Sequence, residues 1–167
     1  MKRLSLLFVL AVSPCFAQGV GQKLPGATDA QLDQRILDQI AAPITNRAAL
    51  DGYVRNLPPQ SPLLSLPKDA RQAFLDSLVF TERGLASYRY VPLQGIDAAH
   101  AYRVLALFGV QGSLAAVPGM SARSEEGRLV RAAESKDPML IDYPGYACAS
   151  KATCTGSHSS ICIGNNC

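Results

Sequence analysis

The chain has 167 residues and a formal net charge of +3, with 13 glycines, 11 prolines and five cysteines but no tryptophan. Its 16 basic side chains are scattered, without the Lys and Arg clusters that neutralise nucleic-acid phosphates, and we therefore expect no nucleic-acid partner. A chain of this length suits one hydrophobic core, and its frequent Ala and Leu favour helices over a β-sandwich.

The first 17 residues have the pattern of a cleavable secretory signal peptide. Lys2 and Arg3 precede an apolar run over residues 4–12, and a small residue stands at Ala17, where we predict the cut. The run is far shorter than the roughly 20 residues that cross a bilayer as a helix, so no integral membrane segment is expected after cleavage. The sequence thus predicts a periplasmic or secreted protein.

A bacterial lipoprotein, in which Cys15 would be lipidated and kept, is the alternative for this segment. Pro14 directly before that cysteine argues against it, because such sites favour a small flexible residue there. Cleavage after Ala17 removes one of the five cysteines and leaves an even number, as disulfide bonding requires. Removing two of the 16 basic residues leaves 14 against 13 acidic ones, a net charge of +1.

The next residues predict an unstructured start and two helices. Residues 18–26 show no periodicity and suit a flexible leader. A first amphipathic helix is predicted over residues 28–41, with Thr28 as its N-cap and an apolar repeat at every fourth residue, Leu32, Ile36 and Ile40. A second helix follows from the apolar spacing 0, 3, 4 and 7, with Thr45 as its cap, in Leu50, Tyr53, Val54 and Leu57.

Two further helices are predicted around one extended stretch. The third helix begins at Pro67 and continues to Gly84. The fourth has Asp97 as its N-cap and covers residues 98–110, with a buried stripe of Ala101, Val104, Leu105 and Phe108. A weaker amphipathic pattern covers residues 124–133.

The extended stretch, residues 85–93, contains the most interface-like cluster, Tyr88, Arg89 and Tyr90. Tyr and Arg combine a large contact area with polar groups and are enriched in binding hot spots. An exposed strand edge can also recruit a partner by strand addition. The plainer interpretation of the cluster is a half-buried edge strand.

The last residues change abruptly in composition, to Ser, Thr, Gly, Asn and Cys. Four cysteines stand there, Cys148, Cys154, Cys162 and Cys167, and we predict two disulfides whose pairing the spacing leaves open among three patterns. A zinc site that combines these cysteines with His158 is a minor alternative, because the short ligand pairs of structural zinc sites are missing. We expect neither a metal nor a cofactor.

The sequence contains no recognisable catalytic motif. His100 follows Asp97 by three residues, but that aspartate is needed as a helix cap, and a histidine in a first helical turn usually faces solvent. His158 stands beside two serines without the acid and oxyanion hole of a triad. We therefore predict no catalytic residues.

Together these patterns predict a mainly α protein: one compact domain of about four helices with one extended segment, plus a small disulfide-stapled tail. The boundaries are a signal peptide over 1–17, a leader over 18–26, a helical domain over 27–138 and the tail over 139–167. The first functional hypothesis is an exported, non-catalytic protein that acts through an unidentified protein partner. The alternatives are a secreted precursor that releases a Cys-rich C-terminal peptide, and a small exported hydrolase.

Overall fold

The computed structural model describes residues 29–133 and 142–167. The predicted signal peptide, the leader, the N-cap at Thr28 and the boundary near residue 138 lie outside the described residues. Ten elements follow in chain order, α1 (Asp29–Ala41), α2 (Arg47–Arg55), α3 (Lys68–Asp76), β1 (Val79–Thr81), β2 (Gly84–Arg89), α4 (Val91–Gln94), α5 (Ala98–Ala106), α6 (Glu125–Ala133), β3 (Asp142–Ser150) and β4 (Thr153–Ile163). Short 3₁₀ helices cover Pro62–Ser65 and Gln111–Ala116.

The four strands form one antiparallel sheet in the order β1-β2-β4-β3. The prediction of a mainly α fold is therefore wrong, and the protein is mixed α/β. The C-terminal segment supplies two of the four strands, and β4 lies inside the sheet. Its Ser, Gly and Cys residues lack the alternating apolar pattern of a strand, because only the end of β4 is buried.

The third helix, predicted from Pro67 to Gly84, is shorter than expected. It ends at Asp76, where the Ser77 hydroxyl donates to the Phe74 carbonyl, and β1, the first strand of a hairpin, lies within the rest of the predicted range. Gly84, predicted to stop the helix, has φ +110° and begins β2. The α2 cap also differs from its prediction, because Asn46 rather than Thr45 accepts the hydrogen bond from the Ala49 N–H.

The core lies between the sheet and the helices, with α5 at its centre. As predicted, Asp97 caps α5, and Val104, Leu105 and Phe108 are buried. The Phe74 ring meets the Tyr88 ring on the sheet and the Phe108 ring beyond α5, each at 6.0 Å and edge to face. Ile161 and Ile163 of β4 belong to the same core, so the C-terminal strand contributes directly to the stability of the domain.

Asp97 joins α5 to α6 through its buried carboxylate. It accepts from the Ala99 N–H, from the Ser124 N–H and hydroxyl, and from the Arg123 N–H. The Ser124 bonds, helped by the other donors, hold the pKa of Asp97 well below its usual range. Gly127 passes so close that a Cβ there would overlap the carboxylate oxygen of Asp97.

We predict opposite effects for alanine at two helical glycines. Gly127→Ala forces the Asp97 carboxylate out of place and should lower the free energy of unfolding by about 1 to 3 kcal/mol. Gly52→Ala in α2, where an added Cβ meets nothing within 4 Å, should raise it by up to about 1 kcal/mol. Urea denaturation of both variants tests this, and equal effects would contradict the close packing at Asp97.

Candidate interaction surface

Helix α1 contacts the rest of the domain through its polar side. Arg35 Nη1 donates to Asp142 Oδ1 at 3.0 Å, and Nη2 donates to the second carboxylate oxygen. The Arg35 side chain is 15% exposed and that of Asp142 only 5%. A bidentate ion pair of this kind fixes both the position and the orientation of the two side chains, so it connects α1 to the first residue of β3.

The buried surroundings of this pair disfavour the negative charge of Asp142. Burial raises the pKa of the Asp142 carboxyl, and the hydrogen bonds and positive charge of Arg35 pull it back. Without Arg35 the folded protein would hold an unpaired buried carboxylate, which is strongly unfavourable. The position of Arg35, and hence of α1, therefore matters to the whole domain.

Two further contacts hold the C-terminal half of α1. Gln39 donates to the Asn166 side chain, whose own Nδ2 donates to the Leu85 carbonyl at 2.8 Å. Gly109 has φ +67°, and a Cβ there would lie 2.7 Å from the Asp38 carbonyl oxygen. The loop after α5 therefore touches the backbone of α1, and the contact leaves room only for glycine at position 109.

The opposite side of α1 is apolar and open to solvent. Four large side chains there have high exposed fractions, Leu32 38%, Ile36 54%, Leu37 58% and Ile40 77%, and we name them the α1 apolar face. An amphipathic helix on a globular domain ordinarily turns its apolar side to the core. Here the polar side is turned inward, which makes the exposed apolar side a candidate interaction surface.

The residues of the predicted interface cluster differ in their exposure to solvent. Tyr88 is only 1% exposed, burial raises its pKa, and its hydroxyl lies 2.8 Å from the Ser113 hydroxyl. Arg89 is exposed and Tyr90 is half-buried. Tyr88 is therefore a core residue and offers no contact area to a partner.

The backbone of this cluster already has partners on both sides. β4 pairs with Tyr88 and Arg89 on one side, and on the other side β1 pairs as far as Ser87 while the Arg89 N–H donates to the Ser77 hydroxyl. The prediction of an edge strand was wrong because β4, which covers one edge, was read from the sequence as part of a separate tail.

The prediction of two disulfides is confirmed. They join Cys148 to Cys167 and Cys154 to Cys162, so the shorter loop lies inside the longer one. Both bridges lie beside Ala86 of β2 in a small second cluster of buried residues. The first bridge links β3 to Cys167, and the second joins two residues of β4.

The cysteines also form the one candidate metal cluster among residues 29–133 and 142–167. The sulfur atoms of Cys154, Cys162 and Cys167 all lie within 4.8 Å of one another. Zinc requires thiolates, and in the structure these sulfurs are joined in disulfides. A metal could bind here only after reduction.

The two histidines are both exposed, on different elements. His100 is exposed on α5, and the carboxylate of Asp97 that precedes it is occupied by backbone and serine donors. His158 is exposed on β4, beside a hydrogen bond between Ser157 and Ser160. The Asp97–His100 spacing that suggested acid–base chemistry therefore serves helix capping.

Comparisons with protein-family models, with curated proteins and with solved structures found no match. Within the described ranges, none of the helices has the length and apolar character to cross a membrane.

The α1 apolar face was visible in the sequence as the Leu32, Ile36 and Ile40 repeat. Its outward orientation was missed, because it depends on Arg35 reaching Asp142, 107 residues further along the chain.

We predict that Arg35→Ala lowers the free energy of unfolding by about 3 to 5 kcal/mol at neutral pH, because Asp142 is left buried and unpaired. The loss should shrink as the pH falls towards about 4, since the unpaired carboxyl becomes protonated and no longer carries the buried charge. Thermal melts across this pH range measure both effects. Arg55→Ala, at an exposed arginine of α2, is the matched control and should change stability by less than about 0.5 kcal/mol. A loss that is the same at every pH would contradict the ion-pair account.

Proposed function

We propose that this protein is exported and acts without catalysis, by binding a protein partner that covers the α1 apolar face. The observation that carries the proposal is the orientation of α1, whose polar side binds the domain while four large apolar side chains face solvent. Leaving such a face in water is costly, and burial of apolar surface is the main driving force of protein association.

Two features support export. The N-terminal residues have the charged start, short apolar run and small residue of a signal peptide. Two disulfides suit an oxidising compartment such as the periplasm or the extracellular space. Both features are compatible with a protein that meets its partner outside the cytoplasm.

The two alternatives have less support. Release of a Cys-rich peptide would remove Ile161 and Ile163 from the core, which favours retention of the C-terminal strands. A hydrolase needs an activated nucleophile or a positioned acid and base. Asp97, the one carboxylate that the sequence placed near a histidine, is held in a capping role instead.

The proposal predicts a contact that is specific to α1. A photoreactive amino acid at Leu37 should form a covalent adduct in cells that export the full chain, because this side chain lies within the apolar face. The same group at Leu129, which is 65% exposed on α6, should give none. Ile36→Asp should remove the Leu37 adduct, since a charge within the α1 apolar face opposes burial of that face against a partner.

The same samples test export. The intact mass of protein from the extracytoplasmic fraction should correspond to a chain that begins at Gln18 and carries two disulfides. Absence of an adduct at Leu37, or an identical adduct at Leu129, would contradict the α1 contact. Protein that stays in the cytoplasm with its first 17 residues would contradict export.

A further inference from the structure

We infer that the partner of the α1 apolar face is a second copy of this chain, packed antiparallel to it across a two-fold axis at Ile36. The inference rests on the proposed function and names its partner. It follows from the spacing, the charges and the size of the face.

Three of the four residues of the α1 apolar face form a stripe that is symmetrical about Ile36. Leu32 precedes Ile36 by four residues and Ile40 follows by four, so the stripe reads the same in both directions. In an antiparallel pair, Ile36 meets Ile36 of the second copy, and Leu32 meets its Ile40. A two-fold interface requires this self-complementarity, because each residue pair then occurs twice.

The charges beside the stripe favour the antiparallel arrangement. The one cation of α1, Arg35, is turned to the domain and bound to Asp142, while Asp33 is exposed. Antiparallel packing displaces the two Asp33 residues by about 9 Å along the helix axis, since each lies three residues from the two-fold. That shift, added to the helix separation, places them beyond about one Debye length at physiological salt, whereas parallel packing would set them side by side.

The size of the face sets the strength of the dimer. The 13 residues of α1 span about 20 Å, and a seam between two such helices is smaller than the roughly 800 Å² per partner of a standard stable interface. The dimer therefore belongs to the weak, concentration-dependent class. The charge of α1, three aspartates against one arginine, argues against a membrane contact, because an acidic helix is repelled by anionic lipid surfaces.

Sedimentation of the purified mature chain, with its disulfides intact, tests the inference. Over a series from about 1 μM to about 1 mM, the average mass should rise from that of one chain towards that of two. Ile36→Asp and Ile40→Asp should each remain monomeric, and because both side chains are exposed, their melting temperatures should stay near that of the wild type. Leu129→Asp is the control for adding a charge to an exposed apolar site and should dimerise like the wild type.

Cross-linking fixes the geometry and separates this inference from the proposed function. A photoreactive group at Ile40 should attach to the peptide of the second copy that contains Leu32. A wild-type chain that stays monomeric throughout, or a dimer that persists in Ile36→Asp, would overturn the inference. If the chain is monomeric but Leu37 captures a different protein in cells, the second copy is excluded while the proposed function stands; if Leu37 captures nothing, both fail.

Discussion

The buried ion pair between Arg35 and Asp142 determines which side of α1 faces the domain. Asp142 is the first residue of β3, and its carboxylate lies almost completely out of solvent. Turning α1 over to bury Leu32, Ile36 and Ile40 would take Arg35 away and leave that carboxylate unpaired in the interior. Breaking a buried pair in this way typically costs about 3 to 5 kcal/mol, a large part of the stability of a small domain.

The C-terminal strands make that ion pair possible. β4 pairs with β2 in the middle of the sheet, and β3 lies on its outer side, where Asp142 stands opposite Ile163. The disulfides brace the same segment on the side of Ala86, while Ile161 and Ile163 pack into the helical core. The position of α1, the sheet and the bridges thus form one connected arrangement.

Local signals in the sequence sufficed for several elements. The N-cap at Asp97 and the stripe of Val104, Leu105 and Phe108 depend on neighbours within one helix, and both were predicted correctly. The limits of α1 were likewise close to the prediction. The number of disulfides was predicted from the even count of cysteines alone, whereas their pairing required the strand register.

The features that were missed lack a local apolar pattern or depend on distant residues. β3 and β4 form a local hairpin, but β4 has few apolar residues outside its buried end to indicate a strand, and its place inside the sheet comes from pairing with β2, about 70 residues earlier. The sequence predicts an interface role for Tyr88, because no local pattern shows that its strand lies inside a sheet. The outward face of α1 follows from one contact with Asp142, which no helical periodicity can reveal.

The most direct test of this account is the solvent exposure of the α1 methyl groups in dilute, monomeric protein. Methyl NMR with a soluble paramagnetic agent should strongly broaden the signals of Ile36 and Ile40, while the signal of Ile161, fully buried in the core, should be unaffected. Protection of Ile36 and Ile40 to the same degree as Ile161 would show that α1 turns its apolar face inward, and the account would be contradicted.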